Sequence, residues 1–230
     1  MIQSALRPAC RLAARGALLA TATAALVLPA EVTAQRADQL TQTIQEQFVE
    51  VADEAFAITN VTLIDGTGAA PQPGRTVVVR EGRIAEIVAA GEFNAGAMRT
   101  VDGSGGTLMP GMMGLHNHLY YTAAGGRGRQ RNFSAPLLYL GSGVTTVRTT
   151  GSQNAYSEIN LKEEIEAGRN PGPRIHITAP YITGGQGATT MTLLDSPEQA
   201  RRFVQYWAAE GATWLKAYTN VGYDEMAAAV

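Results

Sequence analysis

The sequence predicts a mixed α/β chain in which a small all-β module precedes a partial TIM (β/α)8 barrel, its first four or so β-α units. Three observations predict it. Apolar residues fill 45% of the 230 positions and charged residues 17%, enough for a folded core and too little charge for a disordered chain. β-branched runs crowd residues 56–105 between Gly-containing turns. From Thr107 the rhythm becomes strand then helix, repeated. Those repeats take about half of the roughly 250 residues of a closed eightfold barrel.

Residues 1–34 read as a secretory signal peptide. Arg7, Arg11 and Arg15 make a positive start, residues 16–28 are an Ala/Leu-rich apolar run, and Val32, Thr33 and Ala34 offer a cleavage point. The run is shorter than the ~20 residues of a comfortable membrane span. An uncleaved anchor is the alternative, but no stable membrane anchor is expected, and the expected location is periplasmic or secreted. Cleavage removes three arginines and Glu31, leaving 15 positive against 19 negative residues, a net charge of −4. Cys10 leaves too, so neither a disulfide framework nor a thiolate metal site is available. With no basic surplus, nucleic acid is not an expected partner.

Residues 35–55 read as a polar linker helix, because Leu40, Ile44 and Phe48 form one stripe. Residues 56–106 form the β-module. Thr76–Val79 and the run from Arg83 should pair as a hairpin around Glu81-Gly82, and Val101 should open another strand. A module of ~50 residues is too small to be stable unaided. Residues 107–230 hold the barrel units. Strands are expected over 108–115, 143–147, 175–182 and 212–218, and helices over 132–140, 155–167, 197–210 and from Asp224. The third helix carries the clearest signals: Ser196 to cap it, Pro197 at its first position and Gly211 to end it.

Two features carry chemistry. The first barrel strand ends in His116-Asn117-His118, and residues two apart on a strand share a face. Both imidazoles can meet at the strand's C-terminal end, where parallel α/β folds build their sites. Neutral imidazoles suit Zn²⁺ and similar ions. The alternative is a pair of surface histidines in a loop. Lys216 lies inside an apolar strand, and an ionised lysine is almost never buried unpaired. It must pair, lose its proton, be modified, or point outward to an ion pair. A neutral amine can add CO₂ and release a proton, giving an anionic carbamate oxygen donor.

Together these features resemble the amidohydrolase superfamily. Leu108-Met109-Pro110-Gly111 running to His116-Asn117-His118 is similar to its "MPG…HxH" signature. Residues 58–68 and 82–87 resemble its N-terminal β-sandwich, residues 138–149 its second strand, Pro173-Arg174 and Thr183-Gly184-Gly185 its third, and residues 211–218 its fourth. The nearest branch is the imidazolonepropionase-related, Xaa-Pro dipeptidase-like one. The resemblance implies two divalent metal ions, Zn by preference, with His116 and His118 on one and a CO₂-derived carbamate on Lys216 bridging both. It also implies two histidines from strands five and six and a general-base aspartate from strand eight, all beyond residue 230, so no catalytic base is assigned within the chain.

Gln186 stands where many relatives have a histidine, which bears on substrate contacts and not on the metal pair. Tyr218, two residues past Lys216, is the candidate substrate-binding residue, as donor to a substrate carboxylate; rim packing is the alternative. His176, between two isoleucines, reads as a packing or surface residue. Arg127, Arg129 and Arg131 lie in an expected active-site loop. The expected function is metal-dependent hydrolysis of C–N bonds in a small molecule or dipeptide through a metal-activated water, with the 230-residue piece inactive alone. A mononuclear deaminase or chlorohydrolase-type member, with Lys216 structural, is one alternative. A truncated non-catalytic homologue is the other. Homo-oligomerisation stays open.

Overall fold

The computed structural model describes residues 42, 46–122, 125, 128–184 and 192–230. The expected leader, most of the linker helix, Arg127 and Gln186 lie outside the described residues. Of the linker, Gln42 and residues 46–48 are helical, and the helix has ended by Val49.

The first layer is one sheet. β1 (Ala55–Leu63) pairs antiparallel with β2 (Gln72–Arg80), which pairs antiparallel with β3 (Arg83–Ala89). The β2–β3 turn is the expected Glu81-Gly82, with φ of 50° and 70°. Two left-handed residues give the turn twist that a tight hairpin needs, and glycine takes one of them without steric cost. β4 (Arg99–Asp102) and β5 (Thr107–Leu108) both run parallel to β1 on its other edge. Ala57, Val61, Leu63, Val77 and Val78 are buried.

A sandwich needs two packed sheets, and the described strands of this module form a single five-stranded one. One of its faces is an open apolar hollow of about 320 Å³ between β1, β2, β3 and the Leu108-Met109-Pro110 segment, and Ile84 and Ile87 stay exposed there.

The expected first barrel strand is divided. Thr107 and Leu108 belong to the small sheet as β5. Pro110, which lacks an N–H for a ladder, marks the break, and β6 (Met112–Asn117) opens the second sheet. β6, β9 (Val144–Thr149) and β10 (Arg174–His176) lie side by side, all parallel. Between β6 and β9 the chain forms a small hairpin of β7 (Tyr120–Thr122) and β8 (Gly128–Gln130), then helix α1 (Ser134–Gly141). α2 (Ala155–Glu166) follows β9, with Asn154 accepting from the Ser157 N–H at its start. Leu119, Ala135, Val147, Leu161, Ile175 and Ile177 form the core between this sheet and its helices.

The expected third strand breaks after His176. Its remainder returns only as β11 (Ile182–Thr183), paired with β12 (Thr192–Leu193); just past the break the Thr178 N–H bonds the Thr149 hydroxyl in place of a ladder carbonyl. Residues 212–218 do run alongside as a fourth parallel segment. They bond through Ala179 N–H to Trp214 O (2.9 Å), Ile182 N–H to Lys216 O (2.9 Å) and Tyr218 N–H to Ile182 O (2.8 Å), with isolated bridges and no continuous strand. α3 (Pro197–Ala209) and α4 (Tyr223–Ala229) cover this side. Ile182, Leu194, Ala200 and Ala229 form their core. Ser196 caps α3 by accepting from Gln199 N–H, as its sequence predicts, and Gly211 follows with φ of 96°.

Among the described residues, nothing covers the face of the second sheet opposite the helices. Met113 is 63% exposed, Leu115 59% and Trp214 48%, and Arg148 stacks 4.7 Å above the Trp214 ring. His176 lines the same hollow and is exposed, a surface histidine as expected. A closed barrel packs its inward side chains in layers. Here four adjacent segments carry that face, and closure into a barrel is not seen.

Candidate metal centre

β6 is shaped to present its end. Gly114 pairs with Val147 and Asn117 with Thr149, so three steps on β6 oppose two on β9. Such a bulge bends a strand and re-aims the side chains beyond it. Gly114 leaves room for the Asn117 side chain there, whose Oδ1 would lie 2.1 Å from a Cβ and would have to swing aside. Beyond the bulge, Thr150 N–H bonds Asn117 O (3.0 Å), Tyr139 Oη donates to His118 O (2.9 Å), and the fully buried Leu119 plugs the core.

The result brings His116 and His118 together, their rings 5.6 Å apart and edge-to-face. His116 is exposed and His118 half-buried. The His118 pKa is lowered, first by burial, then by the nearby charges of His116 and Lys216, against a raising bond to the Gly151 carbonyl. A neutral imidazole is the ligand form of histidine. Lys216 therefore stands near His118. It is half-buried, not fully desolvated as its apolar setting suggested, because the bare face leaves it partly open. Among the described residues its ammonium has no ion-pair partner, and no three His, Cys, Asp or Glu side chains cluster as a metal site. The donor set is two imidazoles and one amine. It fits a metal as part of a shell, provided the amine becomes an oxygen donor.

Tyr218 is 52% exposed and sits edge-to-face with Tyr181, ring centroids 5.2 Å apart. Tyr181, buried among the third-segment residues, reaches His118 Nδ1 with its hydroxyl at 3.4 Å and is hydrogen-bonded to Tyr120. Tyr120 tilts against the His118 ring at 4.9 Å. Sequence reading passed over both tyrosines. Tyr120 carried a usable signal, lying two residues past His118. Tyr181 carried none, since an aromatic residue in an apolar run reads as core.

Gly151 supports this corner. Its φ is 95°, and a Cβ there would fall 2.5 Å from the Tyr181 ring. Gly151→Ala should therefore cost about 1–3 kcal/mol from conformation alone, with the ring clash added. Urea unfolding checks this, and an unchanged midpoint would show that the ring moves aside freely.

Glu158, in the first turn of α2, was also missed. It is 0% exposed. Gln130 Nε2 donates to Oε1 at 3.3 Å, while Oε2 meets no partner at hydrogen-bond geometry. Burial raises its pKa to about 7, although Gln130, Ser152 and Thr149 pull it down. Gln130 also bonds Asn132, which donates to the Ser157 carbonyl at 2.8 Å, so the β7–β8 hairpin is tied to α2 beside Tyr120.

No family model and no curated protein matches the sequence. The fold does match solved structures. A candidate prolidase from Bifidobacterium longum is 29% identical with a TM-score of 0.64, over 76% of this chain and 46% of that one. A Xaa-Pro dipeptidase with methionine bound in its active site is 20% identical with a TM-score of 0.60, over 71% and 46%. Molinate hydrolase is 20% identical with a TM-score of 0.62, over 76% and 50%. The chain spans about half the length of the solved structures it matches, and shares their fold over that extent.

Proposed function

We propose that this chain corresponds to the first half of a metal-dependent hydrolase of the amidohydrolase superfamily, exported to the periplasm or medium and acting on C–N bonds. The substrate class is a small amide, dipeptide or cyclic amide. The observation that carries this reading is the meeting of His116 and His118 at one end of a parallel sheet, with Lys216 on a segment alongside whose charge bears on His118. The matched prolidase, dipeptidase and hydrolase structures support the coarse activity.

In this reading His116, His118 and carboxylated Lys216 hold two divalent ions, Zn by preference. When bound, such ions polarise a carbonyl and lower the pKa of water. The chain's own residues do the rest. Burial keeps His118 neutral for ligation. The Lys216 amine, as a free base, would add CO₂ and release a proton, and the resulting carbamate would supply anionic oxygen donors beside His118. Tyr218, half-exposed beside this cluster, offers its hydroxyl to a substrate carboxylate or carbonyl. A mononuclear variant draws on one observation, that Lys216 is only half-buried, as a structural lysine with its head toward solvent would be.

The test is hydrolysis of a panel of dipeptides and cyclic amides by the full-length gene product, supplied with zinc and bicarbonate. Amine release that chelation stops and zinc restores supports the reading. Release of ammonia from amino-heterocycles with no amide cleavage favours the mononuclear deaminase, and no turnover of either class favours the non-catalytic homologue.

A further inference from the structure

Glu158 is a buried acid that the proposed chemistry leaves unused. It is 0% exposed, and its Oε2 meets no hydrogen-bond partner among the described residues. The groups that face it are Gln130 of β8, Thr149 of β9, Ser152 and, at longer range, the hydroxyls of Tyr120 and Tyr181. None of these carries a positive charge. Lys162, one turn along α2, is ion-paired with Glu166. A carboxylate in such a place is desolvated and unpaired, so the site favours the neutral acid. The walls of the site differ in how firmly they are held. β9 lies between β6 and β10, with a ladder on each side. β7 and β8 pair only with each other, over three residue pairs. Side-chain bonds tie that hairpin down: Gln130 to Glu158 and Asn132, Tyr120 to Tyr181, and Tyr121 to Tyr139. A two-stranded hairpin is marginally stable by itself, so it is the wall that yields first.

We propose that Glu158 is a proton-operated latch: with its carboxyl neutral the β7–β8 hairpin closes over it, and ionisation opens that hairpin in preference to the sheet behind. Opening admits water to a carboxylate that the closed site cannot solvate. Gln130 makes the link, because it holds the hairpin to Oε1. The hairpin follows directly on His118, and Tyr120 tilts against the His118 ring at 4.9 Å, so the latch sets how firmly that flank of the candidate centre is ordered. The device needs no metal and stands whether or not the metal-centre reading holds. Its pH range follows from linkage. Burial lifts the closed-state pKa from 4.5 to about 7. Below about pH 4 the acid is neutral in both states, and pH leaves the opening unchanged. Opening then grows as pH rises and levels off above about pH 8.

The experiment is amide hydrogen exchange in the full-length gene product between about pH 5 and about pH 8, with protection referred to the intrinsic rate at each pH. A urea series at each pH separates local opening from global unfolding, since only global unfolding carries the full urea slope. In wild type, the amides of β7 and β8 should exchange with a small urea slope while those of β9 and β10 show the large one. The hairpin's opening constant should rise on the order of 50-fold across that range, the ratio linkage gives for an acid of pKa 4.5 when open and about 7 when closed. Glu158→Gln should make hairpin opening flat with pH. Gln130→Ala keeps the acid and removes the tie, and should raise hairpin opening already at about pH 5 with β9 and β10 unchanged. A wild-type hairpin whose opening is flat with pH, or one equally pH-dependent in Glu158→Gln, overturns the proposal. So does a hairpin that opens only with the urea slope of β9, because the whole fold and not a latch then answers to Glu158.

Discussion

Lys216→Ala in the full-length gene product should lower amide hydrolysis by more than about 100-fold. Loss of a residue that merely supports a ligand costs 10–100-fold, and Lys216 is proposed as a ligand itself. The expectation follows from charge as well as geometry. Without a carbamate, the described donors are two neutral imidazoles, which offset none of the charge of two divalent ions. Lys216 lies where its charge bears on His118, it is half-buried, and no carboxylate among the described residues pairs with it. Protein grown with ¹³C-bicarbonate should show a carbamate resonance that Lys216→Ala removes. Lys216→Glu restores a carboxylate on a shorter stem and should recover part of the metal binding. Full activity in Lys216→Ala would leave the mononuclear reading, with Lys216 as a packing residue.

Glu158→Gln should make the protein more stable at alkaline pH, against the usual rule that buried-site substitutions destabilise. Burial raises the folded-state pKa from 4.5 to about 7, so the protonated carboxyl is the form the fold prefers. Below about pH 4.5 both states are protonated and there is no penalty. As pH rises through the folded pKa, the native protein must either hold a buried charge or lose stability. The shift corresponds to about 3 kcal/mol at 1.36 kcal/mol per unit, fully felt above about pH 8. Glutamine keeps the shape and cannot ionise. Its amide oxygen can still accept from Gln130. The difference in urea midpoint between variant and wild type should be near zero at about pH 4 and grow to its full size by about pH 8. A difference that is flat with pH would mean the Glu158 pKa is not raised in the folded protein.

The order of elements was legible because it rests on local signals. Ser196, Pro197 and Gly211 bound α3 through cap chemistry that involves a few neighbours. Glu81-Gly82 turns the hairpin for the same reason. The meeting of His116 and His118 followed from strand alternation, although the bulge at Gly114 delivers it in a way no periodicity reveals. Strand continuity was not legible. Residues 108–115 and 175–182 read as unbroken apolar runs, and which sheet each piece joins is decided by partners far along the chain.

Glu158 shows the limit most plainly. An acidic residue in a helix's first turn reads as a solvated complement to the helix dipole, and only the packing of β8 and β9 against α2 buries it. The open face of Met113, Leu115 and Trp214 carries the same lesson in reverse, since residues that read as core are exposed where no described residue covers them.

Metal content tests the central claim most directly. The full-length gene product, purified with bicarbonate and added zinc, should hold two ions per chain. The paired His116→Ala, His118→Ala variant should hold one or none while keeping its fold by circular dichroism. A wild-type chain with no bound metal, or a double variant that retains both ions, would contradict the account.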